Sequence, residues 1–147
     1  MKILLPAILA AFALACASAP RVTPGIAEVD PHPSDETSER AVPIELGDLI
    51  QDRVGPSPAD SNDWKAFVVN DRSRLRVRFV TDALDNALVL RIYKQRDNAE
   101  VGILSGQPGQ EQVMVGNFSP GTYFIEINGE EELESIVYAL TVERAQP

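Results

Sequence analysis

Residues 74–79 read Arg-Leu-Arg-Val-Arg-Phe, a strict alternation of cationic and apolar side chains. Successive side chains of a strand point to opposite faces, so Leu75, Val77 and Phe79 fall on one side and Arg74, Arg76 and Arg78 on the other. A helix does not place residues two apart on one face. The segment therefore reads as a strand of an antiparallel sheet with an oily face and a solvated one. Working outward from it, the same kind of short run recurs at Ile44–Leu46, Leu49–Val54, Trp64–Val69, Ala87–Tyr93, Val101–Leu104, Gln112–Asn117, Thr122–Ile127 and Ile136–Val142, with the arginine strand itself at Leu75–Val80. Each run is bounded by Gly, Pro, Asn, Asp or Ser clusters. No window after the first residues holds a helical period for more than two turns. The expected fold is all-β, an antiparallel β-sandwich of about eight or nine strands.

One turn is specified residue by residue. In Ser119-Pro120-Gly121-Thr122, Pro at the second position and Gly at the third predict a type II turn, because Pro fixes φ and Gly accepts the positive φ that follows. It launches Tyr123-Phe124-Ile125-Glu126-Ile127, with Tyr123, Ile125 and Ile127 on one face.

The first 43 residues have another composition. Residues 1–15 hold one Lys followed by an apolar run ending in Ala-Leu-Ala, the layout of a secretory signal. Ile3 to Ala15 is shorter than the roughly 20 residues that span a bilayer. The only cysteine of the chain, Cys16, comes next. Ala13-Leu14-Ala15-Cys16 resembles a bacterial lipobox, which implies acylation of Cys16, palmitate included, and anchoring at a membrane. Ala17 at the following position resembles the outer-membrane sorting signal; unlipidated, the chain would be secreted. Residues 16–43 carry Pro20, Pro24, Pro31, Pro33 and Pro43 with no aromatic residue, too little apolar surface to offset ordering. They are expected to form a disordered tether reaching on the order of 80 Å when extended. The folded domain is expected over residues 44–147.

Charge and composition exclude several functions. With 13 basic against 22 acidic residues the net charge is −9, which opposes nucleic-acid binding. A single cysteine forbids any intrachain disulfide, so the domain depends on its core. The one histidine, His32, lies in the tether, so the sandwich lacks Ser-His and Cys-His nucleophiles and the common zinc-ligand sets. Carboxylates alone remain, and no pair stands out. The chain is read as a non-enzyme.

Four stretches taken in order resemble the bacterial pre-peptidase C-terminal domain. They are Asp60-Ser61-Asn62-Asp63-Trp64-Lys65-Ala66-Phe67, Asp85-Asn86-Ala87-Leu88-Val89-Leu90-Arg91-Ile92-Tyr93, Pro120-Gly121-Thr122-Tyr123 and Tyr138-Ala139-Leu140-Thr141-Val142. Lys65 stands where that family usually has Tyr. The resemblance covers about Ile44 to Glu143 and implies a jelly-roll-like sandwich without catalysis of its own. Taken with the leader, it implies a cell-envelope lipoprotein, periplasmic or surface-facing, acting as a binding or assembly module for a protein or an anionic glycan. Two other roles fit the same residues: an accessory inhibitor or chaperone for a secreted protease, and a structural subunit of an envelope complex.

Candidate sites follow from the chemistry of the exposed residues. Arg74, Arg76 and Arg78 form a candidate anion-binding stripe, since guanidinium forks bind carboxylate and phosphate bidentately; pairing with acids on neighbouring strands such as Glu126 is the structural alternative. Asp60, Asn62, Asp63 and Asp85, with Asp48, offer oxygen ligands for Ca²⁺, although the loop lacks the Gly and distal Glu of an EF-hand; no other cofactor is expected. Glu130, Glu131, Glu132 and Glu134 read as a solvated loop. Trp64, the only tryptophan, is expected to be a buried plug at one end of the sandwich; the alternative is an exposed platform for carbohydrate or protein.

Overall fold

The computed structural model describes residues 37–55, 61–82, 88–129 and 135–146. Among them are one 3₁₀ turn, Ser38–Arg40, and nine strands: β1 Val42–Pro43, β2 Leu49–Val54, β3 Asn62–Val69, β4 Ser73–Thr81, β5 Leu88–Lys94, β6 Ala99–Ser105, β7 Gln112–Phe118, β8 Gly121–Gly129 and β9 Ile136–Arg144. They form a five-stranded sheet in the order β1-β3-β8-β5-β6 and a four-stranded sheet in the order β2-β9-β4-β7. Every pairing is antiparallel except β1 with β3. This is the all-β sandwich that the alternation at residues 74–79 predicts.

Period-two burial fills the space between the sheets. Leu75, Val77 and Phe79 of β4 meet Leu90 and Ile92 of β5, Ile125 and Ile127 of β8, and Leu140 and Val142 of β9 in one cluster, all fully buried. Each such side chain contributes roughly 1.5–3 kcal/mol. At one end the rings of Phe67, Phe118 and Tyr123 pack with centroids 5.1–6.0 Å apart. The Tyr123 hydroxyl donates to the Ser119 carbonyl, four residues upstream, at 2.9 Å. That bond pins the bend at Pro120 and Gly121, where Gly121 has a positive φ, +146°, of the expected sign but well beyond the roughly +80° of a type II turn.

Three expectations need correction. The first strand is not Ile44–Leu46 but Val42–Pro43, and Ile44 instead donates its N–H to the Ala66 carbonyl at 2.8 Å. The 3₁₀ turn and β1 therefore extend the ordered part into residues read as tether. Trp64 is not a buried plug. Phe67 and Val69 fix the register of β3, so Asp63 and Lys65 face inward while Trp64, Ala66 and Val68 face out. Glu126 does not pair with the arginines of β4, because β8 belongs to the other sheet.

The inward polar residues of β3 are matched across the sandwich. Lys65 is 1% exposed, and its Nζ lies 2.7 Å from Asp52 Oδ2 on β2 and 3.9 Å from Asp63 Oδ2. The Tyr138 hydroxyl, from β9, donates to Asp63 Oδ2 at 2.7 Å. Two charge-assisted contacts thus tie the two sheets together where a hydrophobic pair would otherwise stand. The signal segment, Cys16, His32 and Glu130–Glu134 lie outside the described residues.

Candidate functional site

The outer face of the four-stranded sheet carries the arginine row. Arg74, Arg76 and Arg78 project from β4 opposite Asn117, Val115 and Val113 of β7, and Arg76 and Arg78 also stand opposite Glu143 and Thr141 of β9. Arg76 Nη1 lies 3.6 Å from Glu143 Oε1. Arg78 donates from Nε to Glu111 Oε1 at 2.7 Å, with Nη2 at 2.5 Å. The Glu111 hydrogen bond and charge hold the Arg78 guanidinium above its ordinary pKa. Arg74 makes no ion pair among the described residues. Such solvent-exposed, salt-screened pairs contribute little, so they do not fix the face as a structural feature. Around the arginines the face is aliphatic. Leu49 is 65% exposed, Val113 and Val115 are exposed too, and an open hollow of ≈ 530 Å³ lies among Gln51, Val80, Pro108, Val137 and Ala139.

The outer face of the five-stranded sheet is aromatic. Trp64 of β3 is opposite Glu126 of β8, and Glu126 is opposite Arg91 of β5. One step along, Phe124 of β8 is opposite Tyr93 of β5. The half-buried rings of Trp64 and Tyr93 lie nearly parallel with centroids 6.0 Å apart, and Phe124 meets Trp64 edge-on at 6.3 Å. The Tyr93 hydroxyl donates to Glu126 Oε2 at 2.9 Å. Burial first, and that carboxylate second, push the Tyr93 phenol up to about 12. Arg91 sits between two acids, 3.9 Å from Glu100 and 4.0 Å from Glu126.

With this geometry in hand the chain can be set beside known proteins. No family profile matches it, and no curated protein does either. Among solved structures it is similar to the pre-peptidase C-terminal domain of a collagenase from Bacillus anthracis, with 16% identity and TM-score 0.59 over 70% of this chain and 94% of that one. The chain has a pre-peptidase C-terminal-like fold. Two periplasmic inhibitors of g-type lysozyme align less well: that of Aeromonas hydrophila has 12% identity and TM-score 0.49 over 71% of this chain and 96% of that one, and that of Salmonella Typhimurium 5% and 0.40 over 70% and 99%.

On this pre-peptidase C-terminal-like sandwich two of the four residues singled out for calcium, Asn62 and Asp63, can be placed. Asp60 and Asp85 lie outside the described residues. Asn62 and Asp63 are neighbours on β3 and so face opposite ways: Asn62 accepts a hydrogen bond from Asn128 on the outer face, while Asp63 is buried against Tyr138 and Lys65. No group of three acidic, His or Cys side chains suited to a metal occurs among the described residues. Sequence offered an exposed Trp64 only as the alternative, and its clustering with Tyr93 and Phe124 was missed. Parity counted back from Phe67 would have turned Trp64 outward, but its approach to Tyr93 depends on β8 lying between β3 and β5, which no local pattern encodes.

Proposed function

We propose that this protein is a non-catalytic module of the bacterial cell envelope, anchored through lipid on Cys16 at the outer membrane, that binds an acidic protein partner across the outer face of its four-stranded sheet. The carrying observation is charge placement. In a chain of net charge −9, five of the 13 basic residues, Arg53, Arg72, Arg74, Arg76 and Arg78, belong to the outer face of this sheet or the turn leading into β4. Arginines beside exposed Leu49, Val113 and Val115 and an apolar hollow combine cationic and aliphatic surface. An anionic glycan has no use for the aliphatic part; a protein interface, with its apolar centre and arginine contacts, uses both. A non-catalytic role is supported by a domain sequence without Cys or His and by an interior whose polar groups are engaged with one another.

The test is a photo-cross-linking side chain at Val113 in cells carrying the full chain, with the same probe at Val68, exposed on the opposite sheet. The expected result is a discrete protein adduct from Val113 alone that declines with salt. It should also fall when Arg74, Arg76 and Arg78 are all changed to Gln. Equal adducts from both positions, or no response to the triple change, would overturn the reading.

A further inference from the structure

The aromatic face has no part in that proposal. After Phe12 of the leader, the chain has eight aromatic residues. Phe67, Phe79, Phe118, Tyr123 and Tyr138 are buried between the sheets. The other three, Trp64, Tyr93 and Phe124, stand together on one outer face. A solvated sheet face needs no large rings for stability, and here Trp64 and Tyr93 lie nearly parallel with Phe124 edge-on, an aromatic cluster bordered by hydrogen-bonding groups.

We infer that this aromatic face is a saccharide-binding site for an uncharged, β-1,4-linked chain of hexopyranoses with equatorial substituents. Such a sugar shows a flat C–H surface that stacks on aromatic rings, and a rim of hydroxyls that requires donors and acceptors at its edges. The face supplies both. Trp64 and Tyr93 present nearly parallel rings across β8, and Glu126 and Arg91 lie in register beside Trp64. Charge favours a neutral ligand: Arg91 stands beside two carboxylates, Glu100 and Glu126, so this face carries no excess of positive charge to attract an anion. At one end Phe124 also lines a groove of ≈ 390 Å³ with Ser38, Glu39, Ala41 and Gln95, whose polar groups can meet the hydroxyls of further sugar units in a chain.

Because Trp64 is the only tryptophan, its emission reports this face and no other. Purified mature protein is titrated with cellohexaose and with the N-acetylglucosamine hexamer, and maltohexaose serves as the α-linked control. The expected result is a saturable change in Trp64 emission with at least one β-linked probe and none with maltohexaose. Tyr93→Ala should weaken binding by about tenfold or more, and the triple Gln change on the arginine face should leave it intact. If Tyr93→Ala does not give a cooperative melt, Arg91→Gln takes its place, with a several-fold loss expected. Unchanged emission with both β-linked probes, equal binding by the folded variant, or a preference for maltohexaose would overturn the assignment. None of those outcomes bears on the arginine face.

Discussion

Lys65 is the residue whose environment is least ordinary. Its ammonium is shared by Asp52 and Asp63 in the interior, and removing one member of a buried ion pair costs more than the pair contributes, because the remaining charge stays desolvated. Lys65→Met is expected to lower stability by about 3–5 kcal/mol in urea denaturation, whereas Lys65→Met with Asp52→Leu should recover most of that loss. Trp64→Ala should be milder, about 1–2 kcal/mol, since a half-buried ring gives up aromatic contacts but opens no core cavity; a loss of about 3–5 kcal/mol would return Trp64 to the core. Tyr93 gives a pH signature. Its phenol is raised from 10.0 to about 12, so the protonated form is favoured by folding. That stability is whole below about pH 10 and is lost as pH climbs through the folded value. The stability difference between the protein and Tyr93→Phe should be flat up to about pH 10 and shrink between there and about 12. A flat difference across that range would mean that neither the burial of the ring nor the Glu126 contact raises the phenol in solution.

At the scale of elements, what was legible followed from local chemistry. The register of β4 could be read from Arg74 to Phe79 because each step reverses polarity, and the start of β8 could be read from Pro120-Gly121 because few residue pairs accept that turn. Gly121→Ala places a Cβ where φ is +146°, with Lys94 Cε 3.6 Å away as the nearest neighbour. The cost is therefore conformational rather than steric. About 1–2 kcal/mol is expected by thermal or chemical denaturation, with the fold retained. What was not legible depended on which strands become neighbours. Glu126 could be assigned to the outer face of its strand, but its partners Tyr93 and Arg91 stand about 33 and 35 residues away in sequence and meet it only because β5 and β8 pair. The start of β3 misled for a different reason. Size and hydrophobicity put Trp64 inside, whereas alternation anchored at Phe67 put Lys65 there, and the sandwich accepted the lysine because Asp52 faced it from the other sheet.

For the whole molecule, the consequence of a two-layer fold is that its two outer faces are separated by the core and can be occupied together. The sheets of a sandwich pack about 10 Å apart, and the described residues fill that layer with apolar side chains, so neither ligand would reach the other's contacts. The faces also differ in kind: one is cationic and aliphatic, and its association should be fast at low salt and slowed by screening, while the other is aromatic with its charges matched, and its affinity should respond little to salt. Binding at both would make the domain a bridge, gaining from each contact the effective concentration of the other. The corresponding measurement combines the two probes already described. Saturating the protein with the bound β-linked hexasaccharide should leave the adduct yield from Val113 unchanged, and the isolated adduct should still show the sugar-dependent change in Trp64 emission. Raising salt should reduce the first signal and spare the second. Competition between them would mean that one ligand spans the edge of the sandwich, where β6 of one sheet and β7 of the other lie side by side, and the two faces would then have to be read as a single site.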